Sequence, residues 1–287
     1  MIPDRSEPGS SDHYGIIKMK KNAFLFLAIS ILFFVSCEKN DDMGDQDPGL
    51  YKITSAISED GIYKVELYSM NDTLFEGYNK LFLSVVEVET KNLISEAELG
   101  LRPMMHMVDK IHSAPYENPE STASSDGYFE GAVVFIMPSN PDEGWVLNVD
   151  MNISGTETVT ELEIPWVKYL EEPRKVKVTS DIDGTIYFVS RVEPSDPVVG
   201  INPCEFTIHY KESMMSFPAA TDLTMTIEPE MPSMEHGSPN NEDPEHTGKG
   251  HYTGKVNFTM TGWWRVHFTL KKGDKIVSDD HYMDITF

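Results

Sequence analysis

Apolar and polar residues alternate with a period of two along most of this chain, which is the pattern of strands that bury one face. The clearest runs, at residues 81–88, 132–137 and 255–260, are rich in β-branched and aromatic side chains. Turn signals such as Glu59-Asp60-Gly61 separate the runs, and no long stretch after residue 37 has a helical period. About seven short strands in about 115 residues are typical of an antiparallel immunoglobulin-like β-sandwich. The pattern therefore predicts an all-β fold.

The chain also contains an internal repeat at an offset of about 125 residues. Lys52-Ile53-Thr54-Ser55 recurs as Lys177-Val178-Thr179-Ser180, and Gly144-Trp145 recurs as Gly262-Trp263. Between them, a further set of residues matches in order: Met107, His112, Pro115 and Tyr128 fall on Met231, His236, Pro239 and Tyr252. We interpret this as a tandem duplication of one sandwich domain. The predicted domains are residues 50–172 and 173–287, divided at the charged, proline-containing stretch 171–174.

The N-terminal region reads as an export signal. Two lysines at residues 20 and 21 precede an apolar run, Ala23 to Val35, that is too short to span a bilayer comfortably. The following Ser36-Cys37 completes a segment that resembles the lipobox of bacterial lipoproteins, which implies that Cys37 is lipidated. The alternatives are an ordinary signal with a chance cysteine and a short anchor helix. We predict a signal peptide over residues 1–37 and a flexible acidic tether over residues 38–49.

Acidic residues directly after Cys37 resemble the surface-export signal of Bacteroidetes lipoproteins. This resemblance implies a cell-envelope protein, attached to the outer membrane by its lipid and facing outward. The sequence alone does not decide between the periplasmic and the outward face.

The charge balance excludes one class of partner. Lys and Arg number 23 against 47 Asp and Glu, a net charge of −24. Such a surface repels a phosphate backbone, so we expect no nucleic acid partner. The two cysteines, Cys37 and Cys204, are too few for a disulfide framework or a cysteine-rich zinc site. We expect Cys204 to be a small packed residue.

Methionine and histidine cluster at the same place in both copies, where a strand ends and a long loop begins. The first cluster lies in residues 103–115 and the second in residues 229–239, followed by two more histidines in a polar loop. A thioether is a good ligand for Cu(I) and a poor one for hard cations, while imidazole accepts both copper oxidation states. The pattern therefore predicts copper as a bound metal. The candidate ligands are Met231, Met234, His236, His246 and His251 in the second copy, and Met105, Met107 and His112 in the first.

The second copy is the better metal candidate because His246 and His251 have no counterpart in the first. Pro232 opposes regular strand pairing, so we expect Met231 and Met234 to be loop-edge residues rather than buried ones. The alternative is that the methionines fill gaps in the core and the histidines are solvated. Single histidines in alternating runs, such as His209, are expected to be packed strand residues.

Several further residues are assigned structural roles. Trp145 and Trp263 each follow a glycine in an alternating strand, so both are predicted to be core residues. The sequence has no Ser/His/Asp order, no phosphate-binding glycine loop and no His-Glu-x-x-His helix. We therefore expect no enzyme activity.

The second cluster and the strand after it resemble the YtkA-like and FixH-like domains of exported bacterial proteins. The residues that carry the resemblance are Met231, Pro232, Met234, His236, Gly237, Gly250, Tyr252, Gly254, Met260, Gly262 and Trp263. In the first copy, Met107, His112, Tyr128, Met137, Gly144 and Trp145 match, but Met-Met-His-Met replaces the core of the motif. The resemblance implies an immunoglobulin-like sandwich and an association with copper supply or copper tolerance.

Two functions of different classes follow. The first is a lipid-anchored copper-binding protein that holds the ion or exchanges it with a copper-accepting or copper-donating envelope protein. The second is a tandem surface module that binds a protein or glycan through an adaptable methionine-rich loop. Convergence of Met231, Met234 and His236 near His246 or His251 would favour metal binding. Placement of these side chains in the core, or far apart, would favour the surface module.

Overall fold

The computed structural model describes residues 49–287, which belong to one compact unit that extends over Asp45–Phe287. Cys37, the predicted signal peptide and nearly all of the predicted tether lie outside the described residues. Within the described part every regular element is a strand, and it contains no helix long and apolar enough to cross a membrane. The predicted all-β class, with antiparallel sheets that form β-sandwiches, is confirmed.

The first sandwich contains eleven strands. They are β1 (Tyr51–Ile57), β2 (Tyr63–Ser69), β3 (Leu74–Phe75), β4 (Gly77–Glu87), β5 (Glu98–His106), β6 (Ile111–His112), β7 (Tyr116–Glu117), β8 (Phe129–Phe135), β9 (Gly144–Ile153), β10 (Thr156–Glu163) and β11 (Val167–Lys168). One sheet has the order β1-β2-β4-β8-β7 and the other β10-β9-β5-β6, while β3 and β11 form a short parallel pair.

The second sandwich contains nine strands. They are β12 (Lys175–Thr179), β13 (Ile186–Glu193), β14 (Gly200–Tyr210), β15 (Thr224–Met231), β16 (His236–Gly237), β17 (Glu242–Gly248), β18 (His251–Phe258), β19 (Trp263–Lys272) and β20 (Lys275–Thr286). Its sheets have the orders β12-β13-β14-β18-β17 and β16-β15-β19-β20. The first of these sheets matches β1-β2-β4-β8-β7 strand for strand. The second matches β10-β9-β5-β6 when its order is read in reverse, and a duplicated unit would produce both matches.

Each sandwich has its own hydrophobic core, built from the inward positions of alternating strands. In β9, for example, Trp145, Leu147, Val149, Met151 and Ile153 are buried, and the residues between them are partly exposed. β19 repeats this pattern with Trp264, Val266, Phe268 and Leu270. The period of two that predicts the strands thus also decides which side chains form the core.

This alternation corrects the register of the predicted repeat. Trp264 is fully buried, like Trp145, whereas Trp263 is 39% exposed, so the prediction of Trp263 as a core residue is wrong. Tyr252 is likewise fully buried, and its equivalent in the first copy is Phe129, one residue after the predicted Tyr128. Trp263 therefore occupies the place of Gly144, because Trp263-Trp264 in the second copy stands where the first has Gly144-Trp145.

A buried asparagine side chain holds the turn that leads into β4, and a second buried asparagine does the same for β14. The side chain of Asn79 accepts a hydrogen bond from the Phe75 amide and donates to the carbonyls of Phe75 and Gly77. Asn202 makes the same three bonds with Val198 and Gly200. Two residues later Cys204 is buried, as expected for a packed thiol, and burial raises its pKa to about 12. The Cys204 thiol is therefore not reactive at neutral pH.

Candidate metal-binding sites

A methionine, a histidine and a tryptophan meet at one end of the first sandwich. Met105 on β5 lies between two strands and is directly opposite His112 on β6 and Trp145 on β9. Directly opposed residues of an antiparallel pair hold their Cβ atoms about 5 Å apart, so all three side chains share one face. The three are at most 3% exposed, and the rings of His112 and Trp145 meet edge to face at 5.4 Å.

The hydrogen bonding of His112 leaves one ring nitrogen free. Its Nδ1 lies 2.8 Å from the carbonyl oxygen of Ser113, which can only accept, so Nδ1 carries the proton. Its Nε2 is buried and has no hydrogen-bond partner. An unpartnered buried polar atom costs about 1–3 kcal/mol. A histidine that donates from one nitrogen to a backbone carbonyl and keeps a lone pair on the other has the arrangement of a metal ligand.

The second sandwich repeats this arrangement at the corresponding place. Met231, at the end of β15, lies opposite His236 on β16, and Nδ1 of His236 is 2.9 Å from the carbonyl oxygen of Gly237. The ring of His236 meets the indole of Trp264 at 5.8 Å. This histidine is more accessible than His112, whereas Met231 is only 3% exposed. The expectation that Pro232 would make Met231 a loop-edge residue is wrong, because the strand continues to Met231 and turns only after it.

The tryptophans and one glycine fix these two clusters. The indole nitrogens of Trp145 and Trp264 donate to the carbonyls of Met137 and Met260, at 3.0 and 2.9 Å. Gly262 adopts a φ of 134°, and a Cβ there would approach the terminal carbon of Met231 to 3.2 Å. A side chain at position 262 would therefore be strained and would press on the methionine.

The remaining predicted methionine ligands lie at the borders of the clusters. Met107 follows β5 and packs partly buried against the first core. Met234 is 56% exposed, in the tight turn where its amide donates to the carbonyl of Met231 at 3.0 Å. The backbone thus brings Met231, Met234 and His236 into one hairpin, but one thioether faces the core and the other faces solvent.

His246 and His251 do not join this hairpin. His246 is exposed on β17 and lines a cleft with Leu223, Thr224 and Thr226 at the start of β15. Met231 ends the same strand, five residues beyond Thr226, roughly 16 Å further at about 3.3 Å per residue. The predicted five-residue site is therefore not assembled.

His251 takes part in an ionic contact between the two sandwiches instead. Its Nδ1 is 2.6 Å from Glu205 Oε1 on β14, and its Nε2 is 2.8 Å from Glu117 Oε1 on β7. Burial alone lowers the pKa of His251, but the two carboxylate hydrogen bonds raise it to about 9. The ring is an imidazolium at neutral pH and has no lone pair for a metal, so His251 is corrected from a predicted ligand to a bridging cation.

Sequence reasoning missed Trp145 and Trp264 as neighbours of the histidines, and Glu117 and Glu205 as partners of His251. The period of two, applied strictly, would have predicted that Trp264 faces the core. Val266, Phe268 and Leu270 follow it at every second position of the same strand and are buried. The carboxylates carry no such local signal, because Glu117 is 134 residues from His251 along the chain.

Within residues 49–287 no group of three or more His, Cys, Asp or Glu side chains is arranged to hold a metal ion. The methionine and histidine pairs described above are a different kind of donor set. A thioether with one unprotonated imidazole nitrogen fits a soft ion such as Cu(I) and does not fit a hard cation.

Comparison with known proteins finds a family whose model is similar to most of the second sandwich. Residues 189–285, which run from β13 into β20, match the family described as YtkA-like. No curated protein matches the chain. Among solved structures, domains 5–6 of the S-layer protein SbsC align with 82% of this chain and 98% of their own length, at 8% identity and a TM-score of 0.29.

Proposed function

We propose that this protein is an exported, lipid-anchored, non-enzymatic copper-binding protein that holds Cu(I) through one methionine and histidine pair in each sandwich. The first pair is Met105 with His112, and the second is Met231 with His236. The observation that carries the proposal is the buried Nε2 of His112, which has no hydrogen-bond partner and belongs to a ring packed beside a thioether and an indole. A bound ion would use that lone pair.

The chemistry of the neighbours supports a soft cation. The first pair is buried, and in the second the methionine is buried while His236 is partly exposed. Neither pair contains a carboxylate, which favours Cu(I) over Ca²⁺, Mg²⁺ or Zn²⁺. An indole also attracts cations through its π face, and each pair has one beside it. The YtkA-like match over residues 189–285 supports the same reading, since the resemblance implies an association with copper supply.

The chain's own residues would orient the ligands and exclude water. The Ser113 and Gly237 carbonyls hold the proton of each imidazole on Nδ1, which leaves Nε2 as the donor atom. Strand pairing places each methionine opposite its histidine in a fixed register. Holding a metal in this way needs no reaction step, and it suits a protein that stores the ion or passes it to an envelope partner.

A Cu(I) titration of the full chain in detergent, under anaerobic reducing conditions and against a chromogenic Cu(I) chelator, tests this proposal. The parent should compete with the chelator, and replacing both Met105 and Met231 with Leu should weaken binding at least tenfold. Methionine-to-leucine changes preserve volume, so each should cost less than about 1.5 kcal/mol of stability. Met70→Leu removes an exposed thioether outside both pairs and serves as the control. Equal binding by the double variant and the control would refute the assigned ligands.

The second candidate function, a surface module for a protein or glycan, is favoured by a different observation. Trp263 and Tyr282 are 39% and 43% exposed on the outer face of the β15-β19-β20 sheet. The guanidinium of Arg265 lies between them, 3.6 Å from the Tyr282 ring and 5.2 Å from the Trp263 ring, and is held by Asp284 at 2.9 Å. Exposed, rigid aromatic rings are common binding surfaces. Binding to a glycan array that is lost in Trp263→Ala, with unchanged Cu(I) affinity, would support this candidate.

A further inference from the structure

One corner of the first sandwich, where β3 leads into β4, is covered by the second sandwich. Phe75 in this corner is only 6% exposed, and the guanidinium of Arg174 lies 5.1 Å from the centre of its ring. The carboxylate of Glu76 pairs with the ammonium group of Lys175 at 2.7 Å, and both side chains are largely buried. Residues 75–78 therefore form a corner on which the next sandwich of the chain docks.

The second sandwich has the same corner, where the chain enters β14. The side chain of Asn202 makes the same three hydrogen bonds as that of Asn79, to the amide and carbonyl four residues before it and to the carbonyl two residues before it. The glycine that begins the strand has a φ of 119° in the first corner and 113° in the second. Residues 198–201 therefore stand in the places of residues 75–78.

This second corner is open to solvent in the described structure. It carries three β-branched apolar residues that are 53% to 58% exposed: Val198, Val199 and Ile201. A Cβ on Gly77 would lie 3.4 Å from Arg174, whereas a Cβ on Gly200 would have only its chain neighbours within 4 Å among residues 49–287. Contiguous exposed apolar side chains are typical of an interaction site. We call residues 198–201 the open corner.

Within the chain, the second sandwich docks through the start of β12 and through neighbouring residues of β14 and β18. Arg174 lies two residues before Val176, the first residue of β12 that packs against the core. On the adjacent strands, the imidazole of His251 lies 2.6 Å from a carboxylate oxygen of Glu205 and meets the ring of Tyr78 edge to face at 5.8 Å. These groups identify the surface that fits such a corner.

The first sandwich presents the corresponding surface at its own N-terminal end. Tyr51, 51% exposed, lies two residues before Ile53, the first residue of β1 that packs against the core. Strand pairing places Phe82 where the second sandwich has Glu205, and Tyr128 where it has His251. The rings of Phe82 and Tyr128 meet edge to face at 6.2 Å. We call Tyr51, Phe82 and Tyr128 the aromatic face.

The open corner and the aromatic face are chemically complementary. Val199 stands where Glu76 forms its ion pair, and the aromatic face has rings where the second sandwich has a histidine and a carboxylate. Apolar groups thus replace ionic ones on both surfaces, and the burial of each against the other removes apolar area from water.

We propose that the open corner of one copy of this chain docks on the aromatic face of a second copy, in the arrangement by which the two sandwiches of one chain pack. Tyr51 of one copy then contacts Val198 of the other as Arg174 contacts Phe75, and Tyr128 contacts Ile201 as His251 contacts Tyr78. Such a head-to-tail contact leaves one surface free at each end, so it produces a ring or an open chain of copies. It does not depend on the proposed copper sites.

Sedimentation velocity of the full chain in detergent, over a series of protein concentrations, tests this inference. The parent should associate, and both Tyr51→Ser and the double change Val198→Ser with Ile201→Ser should raise the dissociation constant about tenfold or more. Val108→Ser changes a side chain that is 82% exposed outside both surfaces, so this control should associate like the parent. All four changed side chains are exposed, and circular dichroism checks that each variant is folded.

A mixture of the two kinds of variant distinguishes a head-to-tail contact from a symmetric one. Neither variant should associate by itself, but their equimolar mixture should form dimers, because each variant retains the surface that the other lacks. If Tyr51→Ser alone still dimerises and the double variant does not, the open corner pairs with itself and the proposal is wrong. A parent that stays monomeric over the whole series, or a double variant that associates like the parent, would also overturn it.

Discussion

At the scale of single residues, His251 shows how the two sandwiches are joined. A histidine whose pKa rises from its usual value of about 6.5 to about 9 on folding stabilises the folded state below the lower value. That contribution is lost as the pH rises through the higher value. The protonated ring should therefore stabilise the contact between the two sandwiches fully below about pH 6.5 and hardly at all above pH 9.

We expect the parent to lose stability between pH 6.5 and 9.5 in urea unfolding experiments. His251→Gln keeps a polar side chain but cannot be charged, so its loss over the same range should be smaller. His246→Gln, which changes an exposed histidine, should behave like the parent. Identical pH dependence in His251→Gln and the parent would show that the bridge does not couple proton binding to folding.

Sequence patterns found the methionine and histidine pairs because strong local clustering marked them. They did not predict the protonation and hydrogen bonding of each side chain, because contacts between residues that are far apart in the chain determine both. His251 was assigned as a ligand from its place in a polar loop, but a carboxylate of the other sandwich makes it a cation. His209 was assigned to packing, and it is buried as expected, yet its Nδ1 has no partner.

At the scale of elements, strand alternation decides which of two adjacent tryptophans belongs to the core. Trp264 has the parity of the buried residues of β19, and Trp263 has the opposite parity. The sequence repeat placed Trp145 on Trp263 because it matched Gly-Trp with Gly-Trp. The pleat of the strand overrides that match, since a shift of one residue moves a side chain to the other face.

The two tryptophans should therefore differ strongly in their effect on stability. Trp264→Ala should cost about 3–5 kcal/mol, because it opens a cavity beside Phe258 and His236. Trp263→Ala removes an exposed ring and should cost less than about 1 kcal/mol. Unfolding in urea measures both, and similar costs for the two variants would contradict the assignment of Trp264 to the core.

At the scale of the whole molecule, the two sandwiches repeat one strand order and one corner where a methionine, a histidine and a tryptophan meet. His251 joins them through carboxylates of both sandwiches. The fold class could be predicted because alternation is a local property of each strand. The contact between the sandwiches could not be predicted, because it depends on residues such as Glu117 and His251 that lie far apart in the chain. The duplication itself stays a prediction.

The attachment of the molecule to a membrane also stays a prediction, since Cys37 lies outside the described residues. Cys37→Ser should release the protein from the membrane fraction, because the thiol is the predicted site of the lipid. Mass spectrometry of the parent should show a lipidated N-terminal cysteine. A variant that still sediments with membranes, together with a parent that carries no lipid, would contradict the lipoprotein interpretation.

The most direct test of the central claim is X-ray absorption spectroscopy at the copper edge on the full chain loaded with Cu(I). We predict that the ion is bound by sulfur together with imidazole nitrogen, and that the sulfur contribution falls when Met105 and Met231 are replaced by leucine. A spectrum with only nitrogen or oxygen neighbours, or one unchanged by those replacements, would contradict the account.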